Sequence, residues 1–250
     1  MEQRRKSIVE FVNREGAVSF ASLKAAFPNV SEMTLRTDLK FLDQVNQIIR
    51  VYGGAKSVNY VVGTDDLLSR RSERNKDKKV QIAEKAAAVF QANTTIFLDS
   101  GSTVTELARR IPDQDCLVFT TGIDCACELA KRKQPIVHLL GGRLNRTSMC
   151  VTGVTPLTEL ERLHFDVAFL GISCYSQEAG FGCGSEEDCE LKRVAIRRSA
   201  RTVMLMDSAK IGLSSTYTVC GLDEVDTVIS DGGVDRLFAE ACETSGVQLL

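Results

Sequence analysis

Apolar positions follow two different rhythms along this chain. Over residues 1–57 they recur at helical spacing in short runs. Ile8, Phe11 and Val12 mark one helix, closed by Gly16. Leu23, Ala26 and Phe27 mark a second, capped by Ser19 and stopped by Pro28 and Asn29. Leu35, Leu39 and Leu42, at i, i+4 and i+7, predict a third helix from its cap Ser31 to about Leu42. Its other face is polar, with Glu32, Thr34, Arg36, Thr37 and Lys40. Ile48-Ile49-Arg50-Val51-Tyr52 then reads as a β-branched strand ending at Gly53-Gly54. Short helices joined by a tight turn and followed by a β-hairpin predict a winged helix-turn-helix over residues 1–57.

From Val80 onward the rhythm changes. Short apolar strands at 95–98, 117–120, 136–140, 167–170, 202–206 and 227–229 alternate with amphipathic helices at 82–90, 104–110, 126–131, 187–199 and 237–242. This alternation predicts an α/β domain over residues 80–250, with a mainly parallel sheet covered on both faces. Residues 58–79 fit neither rhythm. They are poor in aliphatic side chains and dense in charge, and read as a linker or an exposed connecting helix.

Composition adds one correction to a first impression. The 250 residues carry a net charge of −2, which argues mildly against a nucleic-acid partner. Divided at residue 57, the chain separates into a front half of net +3 and a back half of net −5. A basic front and an acidic back suggest two different tasks. Nine cysteines form an odd set without any C-x-x-C pair, so free buried thiols are expected. No run approaches the ~18 apolar residues of a membrane span, and the charged N-terminus lacks a signal-peptide core. The expected location is cytoplasmic.

Two regions carry candidate chemistry. A recognition helix needs short polar groups near its N-terminus and a cation that reaches a base edge. Ser31, Thr34, Arg36, Thr37 and Lys40 supply these, while Arg50 and Tyr52 place a wing against the backbone or minor groove. The plainer reading is a protein-interaction module with a solvated polar face. The second region is Asp99-Ser100-Gly101-Ser102-Thr103, which follows a strand and opens a helix. Backbone N–H groups and hydroxyls at such a turn suit an anion. It is not a Walker A loop, because no Gly-Lys-Ser/Thr follows. Other strand ends offer compatible groups: Thr121, Gly141, Gly142, Asp207 and Lys210. Glu190 and Lys192 stand near a helix start but two residues apart, so they do not stack on one face. Neither His138 nor His164 has a metal-ligand partner, and there is no G-x-S-x-G or H-E-x-x-H motif. No metal, cofactor or catalytic residue is expected.

Taken in order along the chain, these segments resemble the DeoR family of bacterial transcriptional regulators. Val30-Ser31-Glu32-Met33-Thr34-Leu35-Arg36-Thr37-Asp38-Leu39 matches the family's V-S-x-x-T-I-R-R-D-L, and Arg50-Val51-Tyr52-Gly53-Gly54-Ala55 its R-x-H-G-G-A. In the second half, residues 97–103, 139–144, 169–172, 190–193 and 206–212 match its D-x-G-S-T, G-G, F-x-G, E-x-K-R and D-x-S-K-F-G segments. The resemblance implies a sensor domain of the ribose-5-phosphate-isomerase-like fold, used for binding rather than turnover. It implies a phosphorylated sugar or related metabolite as effector, operator DNA as partner, and a repressor of carbohydrate utilisation acting as a homo-oligomer, dimer or tetramer. Carried over by position, Asp99, Gly101, Ser102, Thr103, Gly141, Gly142, Lys192 and Lys210 are its pocket residues. The alternative is a sugar-phosphate isomerase-like enzyme with an accessory domain. The chain departs from the family at Thr37, which replaces an arginine, at Asn46 before the wing, at Thr120-Thr121-Gly122 and at Ser208-Ala209-Lys210-Ile211.

Overall fold

The computed structural model describes residues 2–45, 47–57 and 67–250; Asn46 and residues 58–66 of the expected linker lie outside the described residues. The chain divides into two compact units, Met1–Val62 and Gly63–Leu250.

In the first unit α1 (Glu2–Glu15), β1 (Ala17–Ser19), α2 (Phe20–Ala26), α3 (Glu32–Gln44), β2 (Ile48–Val51) and β3 (Gly54–Ser57) follow in order. The strands form an antiparallel sheet ordered β1-β3-β2. Ser19 caps α2 by accepting from the Ser22 N–H at 3.0 Å, and Ser31 caps α3 by accepting from the Thr34 N–H at 3.2 Å. Ile8, Val12, Leu23, Leu35, Leu39, Leu42 and Ile48 close the core between them. Gly54 is required where β3 crosses β1, since an added Cβ would stand 2.0 Å from the Val18 carbonyl oxygen. One charge is buried here. Asp38 on α3 accepts from Arg4 Nε at 2.6 Å and Arg5 Nε at 2.8 Å, tying α1 to α3. Burial pushes its carboxyl up, but the two guanidinium hydrogen bonds outweigh burial and hold it below the ordinary carboxylate range.

The second unit opens with α4 (Leu68–Glu73) and α5 (Lys76–Ala88). It continues through β4 (Thr95–Leu98), α6 (Ser102–Ala108), β5 (Leu117–Thr120), α7 (Ile123–Leu129), β6 (Ile136–Leu139), β7 (Arg143–Asn145), β8 (Cys150–Thr152) and α8 (Val154–Leu160). Then come β9 (Val167–Gly171), β10 (Cys174–Ser176), β11 (Gly180–Cys183), α9 (Glu186–Arg197), β12 (Thr202–Leu205), β13 (Tyr217–Cys220), β14 (Thr227–Ile229), α10 (Arg236–Thr244) and β15 (Gln248–Leu249). Seven strands form a parallel sheet ordered β15-β14-β12-β9-β4-β5-β6. Its strands bury alternate residues into two separate cores. Phe97, Ala168, Leu170 and Met204 face one; Ile96, Leu98, Phe169 and Val203 face the other. That two-sided burial is why the strands read as continuous apolar runs.

Three features were not legible as such. A small antiparallel sheet ordered β10-β11-β13 and a β7–β8 hairpin sit outside the parallel sheet, on strands of only three or four residues. Residues 68–79, read as a linker or an exposed connecting helix, are mostly helical and belong to the second unit. Leu68 is buried and its N–H donates to the Thr147 carbonyl at 2.8 Å. Within this stretch Lys79 is buried and Lys78 is bonded to Ser208, while Arg70, Glu73, Lys76 and Asp77 stay exposed. All nine cysteines are free, and all but Cys127 are buried. Burial pushes these thiols up, to about 12 for Cys125 and Cys220. Among the described residues no helix is long and apolar enough to cross a membrane.

Candidate functional site

In the first unit, α3 turns two different faces outward and inward. Leu35, Asp38, Leu39 and Leu42 are buried, while Met33, Arg36, Thr37 and Lys40 are exposed at i, i+3, i+4 and i+7. Ser31 and Thr34 share a hydroxyl–hydroxyl hydrogen bond of 2.8 Å at the start of the helix. The Thr37 hydroxyl donates back to the Met33 carbonyl at 2.9 Å. The Arg36 guanidinium lies 4.2 Å from the Phe20 ring centroid and 3.9 Å from Glu32 Oε2, so its fork is held off the helix surface. Arg50 is exposed on β2, and Tyr52 is fully exposed at the turn into β3. The structure therefore gathers Ser31, Thr34, Arg36, Thr37 and Lys40 on α3, and Arg50 and Tyr52 on the hairpin. It adds Met33, 81% exposed on the same face. Its only sequence signal is the spacing to Arg36 and Thr37.

In the second unit, β4 delivers Asp99 to the carboxyl edge of the sheet and Ser100–Thr103 turns into α6. Gly101 adopts φ of 107°, and a Cβ there would meet no atom within 4 Å, so the loop borders open space. Ser102 and Thr103 are buried in the first turn of α6, whose N–H groups have no partner within the helix. Asp99 faces inward. Its Oδ2 accepts from Lys192 Nζ at 2.6 Å and from the Gly171 N–H at 2.9 Å. Lys192 also donates to Asp188 Oδ1 at 2.8 Å. Burial alone would push the Lys192 ammonium down, but Asp188 and Asp99 outweigh it and hold it above the ordinary lysine range. Its charge is thus already taken up by two protein carboxylates.

The partner carboxylate on α9 is Asp188 and not Glu190. Glu190 accepts from Arg193 Nη1 at 2.7 Å, and Arg193 reaches on to the carbonyls of Val219 and Thr218, beside β13. Asp188 lies four residues before Lys192, a spacing that stacks both on one helix face. Thr121 is buried at the end of β5, and neighbouring Gly122 packs so closely that an added Cβ would stand 3.2 Å from Ser100 Cα. Gly141 and Gly142 follow β6, two strands from β4. At Gly142 a Cβ would come within 2.7 Å of Val151 and 2.8 Å of Pro156, so this glycine is needed for packing of the turn. The structure places Asp99–Thr103, Thr121, Gly141, Gly142, Asp207 and Lys210 after the carboxyl ends of β4, β5, β6 and β12 of one sheet, brings Lys192 to Asp99 from α9, and turns Glu190 to Arg193 instead.

At the end of β12, Asp207 is buried and accepts from Asn75 Nδ2 at 3.1 Å. Lys210 Nζ lies 3.5 Å from Asp207 Oδ2 and donates to the Ile172 carbonyl at 2.7 Å. Lys79, only 3% exposed, donates to the carbonyls of Arg71 and Arg74. Burial and the nearby Lys210 push the Lys79 ammonium down to about 7, with Asp207 opposing in part and Arg74 and Arg71 adding to the fall. None of Arg71, Arg74, Asn75 and Lys79 stood out in the sequence, where they belong to a charged run. Among the described residues no group of three or more His, Cys, Asp or Glu is placed to hold a metal ion.

Residues 4–61 match the family model of the DeoR-like helix-turn-helix domain, and residues 74–232 that of the DeoR C-terminal sensor domain. The HTH-type transcriptional regulator GlpR of Haloferax volcanii is 31% identical over 249 residues, covering 99% of this chain and 96% of that protein. The putative aga operon transcriptional repressor of Escherichia coli O157:H7 is 28% identical over 250 residues, covering 99% and 93%. The HTH-type transcriptional repressor GlcR of Bacillus subtilis is 29% identical over 251 residues, covering 100% and 95%. Among solved structures, ribose 5-phosphate isomerase A of Methanocaldococcus jannaschii overlaps with a TM-score of 0.40 and 15% identity, over 55% of each chain.

Proposed function

The chain belongs to the DeoR family of transcriptional regulators, and from that premise we propose that it represses a carbohydrate-utilisation operon under control of a phosphorylated sugar or related metabolite. It is a DNA-binding regulator with a small-molecule sensor domain, not an enzyme. The observation that carries the effector reading is the edge of the parallel sheet. There the open Ser100–Thr103 loop and Lys210 lie at the ends of β4 and β12, where open α/β sheets hold their ligands. An isomerase would need a free carboxylate beside such a loop to move a proton. Asp99, the carboxylate in that place, is held by Lys192.

Met33, Arg36, Thr37 and Lys40 form the face of α3 that reads base edges. Ser31 and Thr34 sit at the phosphate end, and Arg50 and Tyr52 of the wing contact the backbone. A homo-oligomer presents two such faces to two half-sites. The effector and the operator are coupled through the arrangements each favours, so each weakens the other's binding to the same degree. In a gel-shift titration with a panel of sugar phosphates, at least one is expected to release the operator fragment at fixed protein concentration. If no phosphorylated metabolite alters operator affinity, the sensing half of the reading is wrong. Arg36→Ala is expected to weaken operator binding by about 1–3 kcal/mol. Unchanged affinity would remove Arg36 from the reading face.

A further inference from the structure

Met33 is the side chain least expected on the outer face of α3. Successive residues turn about 100° around a helix, so Met33 and Lys40 stand nearly opposite the buried Leu35, Asp38, Leu39 and Leu42. Arg36 flanks them on one side and Thr37 on the other. Arg36 is drawn to its own flank by the Phe20 ring and Glu32, which leaves Met33 almost wholly exposed. The Thr37 hydroxyl donates to the Met33 carbonyl at 2.9 Å, so its proton is spent within the helix. Thr37 then has no proton to give to a base, and its methyl remains for a partner. Residues four apart are neighbours on one helix face. The Met33 thioether and the Thr37 methyl therefore form one apolar strip in the middle of a polar surface.

Arg36 and Lys40 border the strip, and residues 1–57 carry a net charge of +3, so the partner of this face is anionic. The major groove of DNA displays one apolar group, the C5-methyl of thymine. We propose that Met33 and Thr37 read a thymine by its methyl, and so select a T·A pair in each half-site of the operator. Where the family's segment carries a second arginine, this chain has Thr37. An arginine there would present its fork to the N7 and O6 of guanine. This chain thus exchanges a polar contact for an apolar one at that position of the helix. Methionine suits the exchange, because an unbranched thioether adapts its shape to the edge it meets. The assignment rests on the operator-reading role proposed above for α3 and adds which base that face selects.

The test starts from random duplexes of about 30 base pairs, long enough for two half-sites one helical turn apart, from which the full chain selects its sites. Thymines of a selected duplex are then replaced by deoxyuridine one pair at a time, which removes a methyl and keeps every hydrogen-bonding group. One such replacement per half-site is expected to weaken binding about fourfold, the worth of one buried methyl. At that pair 5-methylcytosine·guanine should bind more tightly than cytosine·guanine. Met33→Ala and Thr37→Ser, both at exposed positions, should bind the thymine duplex more weakly and lose most of the uracil penalty. Thr37→Val keeps the methyl and gives up the hydroxyl, and should keep both wild-type affinity and the penalty. Arg36→Ala should bind more weakly and keep the penalty. If duplexes are selected but no thymine is sensitive to loss of its methyl, the assignment is wrong while operator reading by α3 stands. The same holds if Met33→Ala and Thr37→Ser both keep the full penalty. Weak binding by Thr37→Val, with the penalty unchanged in Thr37→Ser, would give the contact to the hydroxyl and overturn the methyl reading. If no duplex is enriched, DNA reading itself fails and the assignment falls with it.

Discussion

Lys192→Met is expected to cost the second unit about 3–5 kcal/mol, the range for removing one partner of a buried ion pair. Methionine fills most of the volume but leaves Asp99, 1% exposed, with only the backbone N–H groups of Gly171 and Ser100 to stabilise its charge. Asp99→Asn should cost less, because the amide still accepts from Gly171 while Lys192 keeps Asp188. Lys192→Met combined with Asp99→Leu should recover part of the loss, since removing both charges also removes their desolvation. Urea unfolding of the full chain, with hydrogen exchange at β4 and α9 peptides to locate the change, makes the comparison. A loss below roughly 1 kcal/mol for Lys192→Met would mean the pair is not the buried charge that organises this edge. The expected result also bears on function. A Lys192 variant that no longer answers to effector says little about ligand contact, because the fold around Asp99 is disturbed first. Lys210, whose removal leaves the Asp99–Lys192–Asp188 group intact, is the cleaner probe.

What the chain declares about itself is local. Ser31 before a helical stripe, and apolar runs ending at Asp99, Gly171 and Asp207, were legible because capping and burial periodicity involve neighbours in sequence. The ion pair was half legible. Lys192 stands out, but its partner Asp99 lies 93 residues away, and the choice between Asp188 and Glu190 depends on which side of α9 meets the sheet. The four-residue step from Asp188 to Lys192 puts both on one helix face, which the two-residue step from Glu190 does not. The lysines of α5 were the opposite case. Lys78 and Lys79 look like solvated charge because composition cannot show that Ser208 and Asp231 wait for Lys78 across the fold, or that the carbonyls of Arg71 and Arg74 close on Lys79. Met33 escaped for a similar reason. An apolar residue in an amphipathic helix is ordinarily core, and only the helix's orientation puts it on the outer face beside Arg36.

Lys79 makes the packing of α4 against α5 visible in solution as a pH dependence. Its folded value is pushed down to about 7 by burial and by Lys210, with Arg74 and Arg71 adding to the effect and Asp207 opposing it, against an ordinary 10.5. Between those values the unfolded chain binds a proton that the folded chain has released, so stability rises with pH across this window. At 1.36 kcal/mol per unit, the rise from pH 7 to 8.5 is on the order of 2 kcal/mol. The buried thiols act in the other direction. Burial holds Cys125, Cys174, Cys220 and Cys242 at about 11 to 12, so above about pH 9 the unfolded chain sheds protons that the folded chain keeps. Under reducing conditions, urea midpoints plotted against pH should therefore climb from 7, turn over near 9 and fall. Lys79→Met should lose stability overall, with two carbonyl contacts gone, and should lose the climbing limb while keeping the fall. A wild-type profile flat between 7 and 8.5, or a climb that survives Lys79→Met, would show that Lys79 stays charged in the fold.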